Sequence, residues 1–227
     1  MTWSLALALA LIAWATLAGL DLASVLQVLV SRPVVAGPVA GLILGDPATG
    51  LRVGVALELF ALDVVPVGAA RYPDFSAATV GAVIYAAGTA WPESLGAAVG
   101  LGLVLAGAAG ATVPLTRRIN AIVVRAYSDR LARGDPGAVR AAHLTCLGND
   151  LARSTILAVA WVGLGLWLAT AGVRPGPQVG RLLTLTALAG GAWAVAHGAM
   201  ASARAGPRWR WALAGLLVGS LGLMVEW

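Results

Sequence analysis

Five carboxylates set in apolar sequence are the groups in this chain best placed to do chemistry. Asp21, Asp46, Glu58, Asp63 and Asp74 all fall in the N-terminal third, inside or beside apolar runs. A charge at membrane depth is costly and is normally kept only where it finds a partner or lines a water-filled cavity. Glu58, between Ala56-Leu57 and Leu59-Phe60, is the clearest case. Its carboxylate can accept hydrogen bonds from sugar hydroxyls, carry a proton, or pair with an arginine such as Arg52 or Arg71. Gln27 lies in the same apolar territory as Asp21, and its amide can orient a hydroxyl. Asp46, in Gly45-Asp46-Pro47, is expected to cap its own turn. Asp74, which follows Pro73 and precedes an apolar run, reads equally as a helix N-cap and as a substrate contact.

The remaining reactive residues exclude more than they suggest. All fifteen basic residues are arginine, and a chain without lysine has no Walker-type phosphate loop, no Schiff-base lysine and no pyridoxal site. A single cysteine, Cys146, forms no internal disulfide, and two histidines, His143 and His197, are too few for the usual zinc cage. No metal, no cofactor and no catalytic residue is expected. His143 reads as a solvated side chain and His197 as a hydrogen-bonding group between helices.

The elements that must position these residues are membrane helices. Of the 227 residues 59% are hydrophobic and 11% charged, far below the roughly one quarter charged in soluble domains. The length allows about six to eight crossings at roughly 20 residues each. The N-terminus carries no basic n-region, so the first segment is expected to remain in the mature protein. Residues 34–45 and 51–65 are apolar but short, and Gly45-Asp46-Pro47-Ala48-Thr49-Gly50 interrupts them. Short arms around a Gly/Pro break read as a broken or re-entrant hairpin, the device with which transporters surround a substrate site. Glycines at 37, 41 and 45, at 50 and 54, and at 96 and 100 have the spacing that lets helix backbones approach closely.

Residues 116–154 hold seven arginines against three aspartates, a surplus of four in a net charge of +5. The positive-inside bias puts this stretch in the cytoplasm and gives the basic balance a topological meaning, with anionic lipid rather than nucleic acid as the partner. Ile119, Ile122, Val123 and Tyr127 are spaced for an amphipathic helix along the inner face, ended by Gly134-Asp135-Pro136-Gly137. Segments 155–173, 182–203 and 212–225 read as spans. Trp3, Trp91, Trp209, Trp211 and Trp227 fall near segment ends, as an interfacial belt would have them. The organisation expected is one membrane domain: 1–115 the half with broken helices, 116–154 the cytoplasmic amphipathic segment, 155–227 the C-terminal spans.

Several fragments in register carry a family resemblance. Leu26-Gln27, then Ser31-Arg32-Pro33-Val34-Val35-Ala36-Gly37-Pro38, Gly41-Leu42-Ile43-Leu44-Gly45-Asp46, Leu57-Glu58-Leu59-Phe60, Val65-Pro66-Val67-Gly68-Ala69-Ala70 and Pro73-Asp74 follow one another over about fifty residues. Together they resemble the IIC component of the mannose/fructose/sorbose class of bacterial phosphotransferase-system permeases. The resemblance implies an all-helical, polytopic protein of the inner membrane with broken and hairpin helices, an elevator-like motion and a trimer of IIC–IID pairs. It implies a hexose bound outside and passed inward with a IID partner, then phosphorylated by a IIB subunit recharged through IIA, the IIC chain itself staying unphosphorylated. Carried over by position, Gln27, Glu58, Gly68 and Asp74 match the sugar site, and Arg32, Pro33, Gly45 and Asp46 match architectural positions. Asp63 and the pair Arg71-Tyr72 depart from the small or apolar residues usual there, which bears on substrate choice. Two rival readings stay open: an ion- or proton-coupled carrier working alone, and a non-transporting regulatory remnant of such a system.

Overall fold

The structure, a computed structural model, describes residues 3–22, 24–25, 27–62, 72–89 and 93–197. These residues form helices joined by short connections: α1 (Leu5–Asp21), α2 (Pro33–Leu44), α3 (Pro47–Ala61), α4 (Phe75–Ala86), α5 (Leu95–Ala126), α6 (Ser128–Ala132), α7 (Pro136–Thr170) and α8 (Pro177–His197). Gly68, Asp63 and Arg71, the tryptophans at 91, 209, 211 and 227, the expected span 212–225 and the side chain of His197 lie outside the described residues.

The interrupted N-terminal arms form a helical hairpin, and three residues make its turn. Gly45 ends α2 in the left-handed region at φ 75°, a conformation favourable to glycine. Asp46 then caps α3 by accepting the Thr49 N–H at 3.1 Å, and Pro47 takes the first helical position, where no N–H is needed. With no side chains between them the two helices touch backbone to backbone. A β-carbon on Gly37 would stand 2.5 Å from the Gly50 carbonyl oxygen, and one on Gly41 2.9 Å from the Gly50 Cα.

Against this hairpin lies α4, whose twelve residues are all buried. It packs on α7 and α5, and also on α2, α3 and α1. The core is built around it from Val80, Val83 and Ile84 with Leu11, Leu57, Val99 and Val162. The outside is apolar instead: Leu9, Ile156, Leu185 and Trp193 are among many large side chains left exposed. That arrangement suits a chain whose surroundings are hydrocarbon.

Among the described residues three helices, α5, α7 and α8, are long and apolar enough to cross a membrane, while α1, α2 and α4 are shorter apolar helices. At 1.5 Å per residue the 32 residues of α5 reach about 48 Å and the 35 of α7 about 52 Å, well beyond a hydrocarbon core of about 30 Å. Their polar ends run past it together. Ile119, Ile122, Val123 and Tyr127, spaced for an amphipathic helix ended at Gly134-Asp135-Pro136-Gly137, lie at the end of α5 instead of in an element of their own, and the polar stretch from 136 to 154 is the beginning of α7. The apolar spacing there did mark a helix but not a new one, because nothing between Leu115 and Ala126 stops α5. The sharp reversal comes later, at α6 and Gly134, whose φ is 70°.

Candidate functional site

A cavity of about 300 Å³ opens where α1 ends, α2 begins and the chain enters α4. Asp21, Gln27, Ser31, Arg32 and Tyr72 supply its polar wall, Leu22, Leu29, Pro33, Ala61 and Phe75 its apolar one. The loop from α1 to α2 is folded around one buried carboxylate. Asp21, 3% exposed, accepts the N–H of Val28 at 2.7 Å and that of Ser31 at 3.0 Å. These bonds hold Gln27 and Leu29 in the left-handed region at φ 51° and 69°. Side-chain-bearing residues rarely sit there, and such strain persists where the surroundings over-determine it, commonly at ligand sites. Ser24 extends the anchoring by donating its hydroxyl to Asp150 on α7, which also accepts from Asn120 on α5 at 3.3 Å.

Glu58 does not line this cavity; it stands behind Arg32, which does. The Arg32 Nε donates to Glu58 at 2.8 Å, a second guanidinium nitrogen donates to the same oxygen, and Nη1 reaches the Ala61 carbonyl at 3.3 Å. The other carboxylate oxygen accepts the Val34 N–H at 3.2 Å. Arg32 offers α2 no side-chain cap, so a carboxylate arriving from the far end of α3 completes that helix N-terminus, where its charge is favoured. As a pairing residue, one of its three readings from sequence, Glu58 is offered an arginine such as Arg52 or Arg71. The structure pairs it with Arg32, because the hairpin turn brings the end of α3 back to the start of α2.

Asp74 caps α4 through the Ser76 N–H at 3.1 Å and hydroxyl at 2.5 Å, and its other oxygen accepts from Arg153 on α7 at 2.7 Å. Arg153 also donates to Thr112 and to the Ala109 carbonyl. Asp74 is thereby occupied, and its neighbours Tyr72, Pro73 and Phe75 present themselves to the cavity instead. The Tyr72 ring carries the Arg117 guanidinium 5.7 Å from its centroid, within cation–π reach.

A model of the family described as PTS system sorbose-specific IIC component matches residues 5–196. The chain belongs to that family. Among curated relatives of this IIC chain, the mannose-specific EIIC component of Escherichia coli K12 is 31% identical over 128 residues, covering 56% of this chain and 47% of that protein. The sorbose-specific EIIC component of Lacticaseibacillus casei is 31% identical over 117 residues, 51% of this chain and 41% of that protein. The matched stretch thus spans less than half the length of either relative. A solved structure described as a membrane protein superposes with a TM-score of 0.68 at 21% identity, over 99% of this chain and 98% of the other. A cryo-EM structure of the mannose transporter ManYZ with microcin E492 (MceA) superposes at 0.64 and 23% identity, over 97% and 88%. These two likenesses establish the fold of the IIC chain, that of an all-helical, multi-pass membrane protein.

Of the residues carried over from the resemblance, then, Gln27 lines the cavity, Glu58 touches it through Arg32, and Asp74 shapes its rim. Asp46 and Gly45 cap the hairpin and Pro33 opens α2. The sequence flagged Asp21 as needing a partner or a cavity but not as the organiser of the loop. The signal was its distance from the strained residues: a carboxylate six residues before Gln27 can reach forward to backbone N–H groups of the same loop. No such signal pointed to Arg153 or Asp150, which lie 79 residues beyond Asp74 and 126 beyond Ser24.

Proposed function

We propose that this protein is the membrane permease subunit of a mannose-type sugar phosphotransferase system. A hexose or related sugar occupies the cavity between α1, α2 and α4. The observation that carries this reading is a sugar-sized cavity in an apolar protein, whose polar wall has an amide, a carboxylate, a hydroxyl and an ion-paired guanidinium in place. Such groups discriminate among sugars, because the wrong isomer leaves buried hydrogen-bonding groups unpaired. Gln27 and Arg32 contact the sugar, Glu58 orients Arg32, and Asp74 fixes the Tyr72–Phe75 rim. Gly68, four residues before Tyr72 in the sequence, is the further sugar-site residue that the resemblance implies.

Translocation is alternating access, with a IID chain as the membrane partner in a trimer of pairs. Soluble IIA and IIB carriers deliver the phosphate, as membership of this family implies. The arginine-bearing ends of α5 and α7 face the cytoplasm, and the protein resides in the bacterial inner membrane. Uptake of labelled mannose, fructose and sorbose, driven by the reconstituted carriers, tests the reading. Arg32→Gln and Glu58→Ala each remove charge-assisted hydrogen bonds, so uptake is expected to fall by roughly one to two orders of magnitude while the protein remains in the membrane. Undiminished uptake by both variants would overturn the assignment.

A further inference from the structure

A second cavity, of about 160 Å³, is lined by Tyr85, Thr89, Glu93, Ser94, Arg174 and Pro175. It shares no residue with the first. Its place follows from α5, which starts at Leu95 beside it and meets the rim of the first cavity where Ala106 accepts the Asp74 N–H. Eleven helical steps separate those points by about 17 Å. The second cavity therefore lies at the end of the molecule away from the arginine-bearing hairpin.

Five of its six lining residues bring a hydroxyl, a carboxylate or a guanidinium. Thr89 Oγ1 is buried with no hydrogen-bond partner among the described residues. Buried hydroxyls are almost always satisfied, so this one calls for an occupant. Ser94 sits at the N-cap of α5 yet makes no side-chain cap bond there, which leaves its hydroxyl for other use. Among the described residues, Glu93 makes a 3.5 Å contact to the exposed Arg181. The wall thus combines an anionic acceptor, a cationic donor, hydroxyls of both characters and the aromatic ring of Tyr85. Its formal charges cancel, which suits a neutral polyhydroxylated ligand better than an anion or a cation. The volume equals that of about five liquid waters, room for one sugar ring and not for two.

We infer that this cavity is an outer sugar site, at which a neutral monosaccharide is held before it reaches the cavity at Arg32. The inference rests on the permease reading above and adds a site to it. The test is equilibrium binding of labelled D-mannose, D-fructose and L-sorbose to the full chain with its IID partner in lipid nanodiscs. Two saturable classes are expected for the transported sugar. Thr89→Val, which removes only the hydroxyl, and Arg174→Gln should each weaken one class by about tenfold and leave the other intact. Arg32→Gln should do the reverse.

A single class, lost in Arg32→Gln and unmoved by Thr89→Val and Arg174→Gln, overturns the outer site and leaves the permease reading standing. Absence of saturable binding by any sugar overturns both. Two classes that both survive Thr89→Val and Arg174→Gln unchanged overturn the assignment of an outer site to this cavity.

Discussion

Asp74 and Arg153 have side chains only 1% and 11% exposed, and each is the other's charge partner. Removing one member of such a pair strands a charge away from water, which typically costs about 3–5 kcal/mol. The two halves are not equivalent here. Arg153 keeps Thr112 and the Ala109 carbonyl when Asp74 is lost, and asparagine still caps a helix, so Asp74→Asn should melt only modestly lower. Arg153→Met leaves the carboxylate with the Ser76 bonds alone and should melt lower still, while the double variant should recover part of that loss. Thermal denaturation of the solubilised protein, followed through monodisperse elution, checks the order. At this scale the sequence was half legible. Pro73-Asp74 ahead of an apolar run announced the cap, and Glu58 announced a buried charge. The partners were hidden because Arg153 lies 79 residues from Asp74 and Arg32 lies 26 from Glu58. Only the packing of α7 on α4 and the length of the hairpin turn decide those pairings.

Among the elements, the α2–α3 hairpin has the narrowest tolerance. Gly41→Val would push a side chain into the backbone of Gly50 and the Asp46 carbonyl, where neither can yield without separating the helices. Overpacking of this kind costs about 1–3 kcal/mol, and separation would also draw Glu58 away from Arg32, so sugar uptake should fall together with stability. Gly100 supplies the control, since a β-carbon there meets nothing within 4 Å and Gly100→Ala should stay within about 0.5 kcal/mol of the parent. The two glycines share the same kind of four-residue spacing in the sequence. Spacing shows that a close approach is possible, not which face is used. At the other end of the molecule, Asp135 begins α7. Its hydrogen bond from Arg130, then those from the Gly137 and Ala138 N–H groups, hold its carboxyl below the usual aspartate value. A lowered value in the folded protein means the cap contributes fully above the ordinary aspartate range and is lost as pH falls through the depressed value. Amide exchange at Gly137 and Ala138 should therefore be slower than in Asp135→Asn near neutrality, and the two should converge in acid.

For the whole molecule, the sorting of charge makes a test of orientation simple. The sequence has one cysteine, so His143→Cys in a Cys146→Ala background places a single exposed thiol on the polar part of α7. A membrane-impermeant maleimide should label it in inside-out vesicles and not in intact cells. The membrane class was legible in a composition 59% hydrophobic and 11% charged, and the broken N-terminal hairpin and its turn because glycine, proline and aspartate have few conformational uses. The fate of residues 116–154 was less so, since helical periodicity in a polar stretch looks the same whether a helix starts there or passes through. One feature of the interior also bears on how the protein is made. Helix α4 is twelve residues long, shorter than a bilayer crossing, and every one of its side chains is covered by other helices. Much of that cover, α5 and α7, lies later in the chain. While the ribosome is still working, α4 has neither the length to be released into lipid as a span nor the neighbours that will enclose it. Order of synthesis and order of assembly must therefore differ, and the centre of the protein becomes the last part of it to be sealed.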